Sequence, residues 1–218
     1  MNINSENIYE RTINTLKSIP NPKTKDVDSL AKKYIKENVD VEGLYPYIET
    51  SGSAYRIYFQ VNLKRLNDLY KQIEFIEKNS IHFGEWWHID MLLQFLKRPV
   101  DCEYLINKAE KYVNSELPFV RRLGYVLMLA NPQKETKYFK RISKLFHNDD
   151  EYYVQMAEAW LIADLCVYSP NETYEFIKNC DLNYKILSKA ISKICDSFRI
   201  SDEVKNNCRA LREIKKNN

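Results

Sequence analysis

Residues 117–130, LPFVRRLGYVLMLA, carry Pro118 in their first turn and stop at Asn131-Pro132. Proline suits the start of a helix and is excluded from its interior, so both ends of this apolar stretch are marked. The same grammar recurs on either side. Residues 101–115 open on Asp101 as an N-cap and place Leu105, Ala109 and Tyr112 on one face. Residues 84–97 (GEWWHIDMLLQFLK) read as one helix that stops before Pro99, because a residue preceding proline disfavours the α conformation. In the other direction come helices over 135–147 and 150–168, the latter closed by Ser169-Pro170, then 171–180, 184–197 and 202–215.

These helices fall into antiparallel pairs that begin near 84, 117, 150 and 184, at intervals of 33 or 34 residues. A fixed period of this length marks a helical repeat, since one pair cannot bury its apolar face alone and must stack on the next. The expected fold is therefore all-α, a HEAT-like helical-repeat solenoid (α-α superhelix). It is expected as a single all-helical domain over 1–218, with helix pairs over 81–218 and less regular helices over 1–80. In that front segment Ser5 is expected to cap a helix to about residue 18, and Pro20-Asn21-Pro22 breaks it. A second helix is expected over 25–37, a short one between the bends of 42–53, and helices over 54–79 with a break near Asn67.

Composition narrows the function. Four glycines, Gly43, Gly52, Gly84 and Gly124, are too few for a turn-rich β protein, and no GxGxxG or Walker pattern occurs, so no nucleotide cofactor is expected. A net charge of +3 permits nucleic-acid binding without demanding it, because a local basic face decides. The cysteines Cys102, Cys166, Cys180, Cys195 and Cys208 lack CxxC spacing and sit among apolar helical residues. That pattern suits reduced core thiols in a cytoplasmic protein. Three histidines, His82, His88 and His147, have no ligand spacing, and neither a metal nor an organic cofactor is expected. No apolar run is long enough to span a membrane and the N-terminus has no signal-peptide pattern. The sixteen tyrosines read as rim residues standing in for phenylalanine.

Candidate chemistry gathers around the tryptophans Trp86, Trp87 and Trp160. Trp86 precedes Asp90 by four residues and Trp160 precedes Asp164 by four, so each indole shares a helix face with a carboxylate. Arg122 lies 36 residues after Trp86 and 38 before Trp160, about one repeat each way. Stacked pairs would line one concave surface with Trp86, Asp90, Arg122 and Trp160. The plainer alternative stays open: tryptophans on amphipathic helices usually belong to the core, and Arg–Asp pairs in adjacent repeats are often ladder salt bridges.

From about residue 81 to 193 the sequence resembles the DNA alkylation-repair glycosylases of the AlkD type, a family of HEAT-like solenoids. Trp86-Trp87-His88-Ile89-Asp90 is similar to the family's WxxxD element, Phe119-Val120-Arg121-Arg122 to the segment that supplies its arginine, and Ala157-Glu158-Ala159-Trp160 to the helix with its second tryptophan. Ser188-Lys189-Ala190 resembles the helix that follows. The resemblance implies duplex DNA with N3- or N7-alkylated purines as substrate and hydrolysis of the N-glycosidic bond as reaction. It implies Asp90, Trp86, Trp160 and Arg122 as catalytic residues, and Arg121, Arg122, Lys189 and Lys193 as DNA contacts, in a monomer. Two departures stand out. The front third lacks the family's GxxxPxxR-like segment, and Ala163 stands where relatives often carry a basic residue. Further cations lie in the tail at Arg209, Arg212, Lys215 and Lys216, where a solvated helix end explains them equally well. The competing functions are a non-catalytic HEAT-repeat scaffold and a DNA-structure-binding protein without chemistry.

Overall fold

A computed structural model describes residues 7–216, and Ser5, expected to cap the first helix, lies outside them. Among the described residues every regular element is a helix and no strand occurs, so the chain is all-α. None of these helices is long and apolar enough to cross a membrane. The chain divides into two compact units, residues 1–99 and 100–218.

The first unit holds α1 (Ile8–Lys17), α2 (Thr24–Lys36), a 3-10 turn at Glu42–Tyr47, α3 (Gly52–Leu66), α4 (Leu69–Lys78) and the short α5 (Trp86–Asp90). Asn7 caps α1, its Oδ1 accepting the Tyr9 N–H at 3.1 Å. The helix α3 is the unit's axis: Tyr55, Ile57, Phe59, Val61 and Leu63 are all fully buried, so it is covered on every side. The expected break near Asn67 is a left-handed residue with φ of 46°, a conformation asparagine tolerates better than bulkier side chains. Asp68 then caps α4 by accepting the Lys71 N–H.

The expected single helix over 84–97 does not form. The α conformation ends at Asp90 and tightens to a 3-10 turn over Leu92–Gln94. The cause is tertiary. Buried Gln72 of α4 accepts the N–H of Lys97 at 2.7 Å, which a longer helix would give to Leu93, and donates at 3.1 Å to the carbonyl of Phe95, which Pro99 cannot serve.

The second unit holds α6 (Cys102–Tyr112), α7 (Pro118–Met128), α8 (Phe139–Ile142), α9 (Tyr152–Tyr168), α10 (Pro170–Asn179), α11 (Tyr184–Asp196) and α12 (Asp202–Lys216). Here the repeat is visible in the packing. The helices that open successive pairs form one layer, α7 against α9 and α9 against α11, while α10 and α12 close their own pairs. Asp101 caps α6 as expected, accepting the Tyr104 N–H at 3.0 Å. Gly124 lets α7 approach α6 closely, since a Cβ there would stand 2.8 Å from Val113 Cγ1.

The stretch 135–147, expected as one helix, is broken into the single turn α8 flanked by 3-10 turns at Thr136–Tyr138 and Ser143–Leu145. Its buried residues are Ile142 and Leu145, with Phe146 half-buried against Tyr125 and Phe176, too narrow a stripe to enforce a continuous helix. Arg141 ties it down instead, reaching Glu103, Asn107 and Glu110 on α6. Two compositional expectations are also corrected. Tyr34, Tyr55 and Tyr125 are deep core residues, not rim residues. All five cysteines are free, but Cys180 and Cys195 are only half-buried.

Candidate active site

Five residues make α5, and they divide cleanly. Ile89 and His88 are buried, and Trp87 lies half-buried with its ring 3.5 Å from where a Cβ on Gly52 would stand. Trp86 is 44 % exposed and Asp90 half-buried, so the four-residue spacing does place the indole and the carboxylate on the outward side of this helix. Exposing nearly half of an indole forgoes apolar burial that the neighbouring Trp87 obtains. Beside Trp86 opens a cavity of about 500 Å³, also lined by Lys23, Thr24 and Arg56; the Arg56 guanidinium is bound by Asp28 through two contacts of 2.6 and 3.0 Å.

His88 anchors this helix. Its ring stacks on Tyr55 at 3.7 Å between centroids and meets Trp87 edge-on, and its Nδ1 accepts the Gly84 N–H at 3.2 Å. Burial pushes its pKa down to about 4, so the imidazole is neutral at physiological pH. A lowered folded-state pKa means the unfolded chain takes the proton more readily. The stability His88 confers is present above its unfolded value of about 6.5 and is lost as pH falls toward 4. The thermal midpoint of the native protein is therefore expected to drop by several degrees between pH 7 and pH 5, and that of His88→Phe, which keeps the ring stack, by clearly less. Equal drops would remove His88 as the cause.

The other expected site residues belong to the second unit. Arg122 on α7 is only 4 % exposed and its Nη1 donates to the carbonyl of Tyr153 at the start of α9. Its neighbour Arg121, expected to contact DNA, is committed elsewhere. It holds Asp149 through Nε and Nη2 at 2.5 and 3.1 Å, and its Nη1 donates to the carbonyls of Ser115 and Glu116. Burial alone would raise the Asp149 carboxyl, but the Arg121 guanidinium and the Glu151 N–H outweigh it and hold the carboxyl below its ordinary value.

Sequence reading missed the group next to this pair. Glu158 is fully buried in α9, with Oε1 accepting the His147 N–H at 3.0 Å and facing the Tyr125 hydroxyl at 3.1 Å. Tyr125 also stands 2.7 Å from His147 Nδ1, and His147 Nε2 stands 3.2 Å from Asp149. Arg121, Asp149, His147, Tyr125 and Glu158 thus form one polar chain under the loop that leads into α9. Burial pushes the Glu158 carboxyl up to about 8, so it is neutral at physiological pH and adds no second negative charge beside Asp149. The signal was present in the sequence: a lone glutamate between Ala157 and Ala159 in an otherwise apolar helix face.

Trp160 is half-buried on α9 and lines an opening of about 320 Å³ together with Lys193 of α11. The Trp160–Asp164 pair repeats the spacing of Trp86–Asp90, but Asp164 is held by Arg199 at 2.6 Å and Gln133 at 2.9 Å. That occupies its carboxylate as a structural group. Lys189, one turn before Lys193, is exposed and lines the next opening along the same helix pair. In the tail, Lys215 donates to the Cys180 carbonyl, Arg209 to Asn206, and Arg212 pairs with Glu213.

The chain matches the family model described as DNA alkylation repair enzyme over residues 19–194, and it belongs to that family. The match includes most of the front third, ahead of the stretch over about 81–193 that carries the resemblance in the sequence. No curated protein and no solved structure matches the chain. Membership makes this a DNA alkylation repair protein, with DNA as the material it works on.

Proposed function

We propose that the chain is a DNA glycosylase that hydrolyses the N-glycosidic bond of N3- and N7-alkylated purines in duplex DNA. The observation that carries this reading is the outward side of α5: an indole left 44 % exposed with a carboxylate one turn on, in a member of a DNA alkylation repair family. A protein that only bound DNA would gain nothing from a carboxylate facing phosphates, because affinity for DNA comes chiefly from neutralising them.

The chemistry needs little else. Alkylation at N3 or N7 leaves the purine cationic, so it departs as a neutral base without protonation. Positive charge then develops on the deoxyribose at C1′, where a water oxygen bonds and its proton is released. Asp90 stabilises that charge and orients the water. The ring face of Trp86 lies against the cationic sugar, a contact worth on the order of 1–2 kcal/mol when desolvated, and Trp160 is assigned as a further aromatic contact to the DNA. Arg122, 4 % exposed and donating to the Tyr153 carbonyl, holds the first turn of α9 in place, and Lys189 and Lys193 contact backbone phosphates. Arg121 is assigned to holding Asp149 instead.

The direct test is release of 7-methylguanine from dimethyl-sulfate-treated duplex DNA, read by chromatography of the free base alongside duplex binding by fluorescence anisotropy. Release that leaves alkali-labile abasic sites is the expected result. Binding without release would leave a DNA-structure binder, and neither binding nor release would leave a protein scaffold.

A further inference from the structure

The packed helices α9 and α11 carry two matched stripes. Tyr152, Met156 and Trp160 recur at four-residue intervals along α9, and Lys185, Lys189 and Lys193 do the same along α11. The stripes flank two openings. One holds Trp160 and Lys193; it also contains Asp164, Asp196 and Arg199, so its charge is mixed. The other, about 300 Å³, lies nearer the helix N-termini between Tyr152 and Met156 on one side and Tyr184, Lys185 and Lys189 on the other. Its walls are mostly apolar, no carboxylate lines it, and two lysines do. Tyr152 is 58 % exposed at its edge.

An apolar slot with an exposed aromatic ring suits a flat, uncharged ring system. Lysines at its rim suit the phosphate attached to one. At 1.5 Å of rise per residue, Lys185, Lys189 and Lys193 stand about 6 Å apart and span about 12 Å. One DNA strand presents a phosphate about every 3.4 Å of axis, so the ladder covers three or four of them. Aromatic rings beside a basic track are the usual equipment for unpaired nucleotides, because every base offers a ring face for stacking.

We propose that this slot takes an unpaired nucleotide of the DNA substrate, its base against Tyr152 and the adjoining phosphates on Lys185, Lys189 and Lys193. The proposal rests on the reading of the chain as a DNA-acting repair protein. It adds a subsite distinct from Asp90: a place for a base displaced from its pair.

Three fluorescein-labelled oligonucleotides test it by anisotropy: a fully paired duplex, the same duplex with a two-nucleotide bulge, and a single strand. The full-length protein is expected to bind the bulged probe more tightly than the paired one. Tyr152→Ala is expected to weaken bulge binding roughly tenfold and leave paired-duplex binding alone. With 2-aminopurine in the bulge, its quenching by the native protein is expected to disappear in the same variant. Lys185→Gln/Lys189→Gln is expected to lower the salt slope for the single strand by about 1.4. Tyr152 lies on the surface, and matching thermal midpoints for the variant and the native protein separate lost binding from lost folding. Equal affinity for bulged and paired probes, or a bulge preference that survives Tyr152→Ala, overturns the subsite and leaves the DNA-repair reading standing. Failure to bind any of the three overturns both. Displacement of the bulged probe by polyglutamate as readily as by the single strand reassigns the slot to acidic peptides and also overturns it.

Discussion

Asp90→Asn is expected to slow 7-methylguanine release by on the order of 10²–10³-fold while duplex affinity stays within about twofold or rises slightly. Asparagine keeps the shape of the side chain and removes only its charge. The lost quantity is therefore the electrostatic stabilisation of a sugar becoming cationic, together with the orientation of the attacking water. Ground-state binding should not suffer, because a carboxylate near phosphates opposes binding, and removing one negative charge relieves that repulsion. Thermal midpoints check folding: Asp90 is half-buried at the last position of α5, a helix anchored by Ile89 and by the stacking of His88 on Tyr55. The effect must fall on kcat and on single-turnover rates, with KM little changed. An Asp90→Asn protein that releases base at the native rate would remove Asp90 from the chemistry and take with it the main argument for an enzyme. A matching loss of thermal stability would point instead to a structural carboxylate.

How far the sequence could be read depended on where its signals were local. Pro118, Asp101, Asn67 and Ser169-Pro170 each act on the backbone within a residue or two, and the helix ends they announce are where the structure has them. The phase of α5 was legible for the same reason, since one turn of helix fixes Trp86 over Asp90 whatever the surroundings. What failed was decided from a distance. Nothing within 84–97 tells that Gln72 reaches in from α4 for the backbone of Phe95 and Lys97. Nothing within 135–147 tells that Arg141 finds three partners on α6 and so makes a continuous helix unnecessary. The adjacent arginines show the same divide. Arg121 and Arg122 look interchangeable in the chain, but 28 residues on lies the Asp149 that claims the first, and no local pattern announces it.

That claim makes Asp149→Ala the most destabilising single change expected in the second unit, on the order of 3–5 kcal/mol. Asp149 is buried, and one carboxylate answers the Arg121 fork, the Glu151 N–H and His147 Nε2 together. Alanine leaves a largely buried guanidinium without its counter-charge, and an uncompensated charge costs far more than the pair contributes while intact. The distinction can be measured. Arg121→Met/Asp149→Leu removes both charges and substitutes apolar volume, so it should recover most of the stability that Asp149→Ala loses in urea denaturation. If the double variant is as unstable as the single one, geometry of the loop and not stranded charge is the cause. The consequence for function follows from connectivity. The loop held by Asp149 runs directly into the first turn of α9, where the Tyr153 carbonyl accepts from Arg122 and the Tyr152 ring is presented. Below its unfolding midpoint, Asp149→Ala should therefore bind the bulged duplex more weakly even though Asp149 touches no phosphate, and the double variant should regain that affinity along with its stability. Recovery of stability without affinity would separate the two, and would place Arg121 back among the DNA contacts that its position in the sequence first suggested.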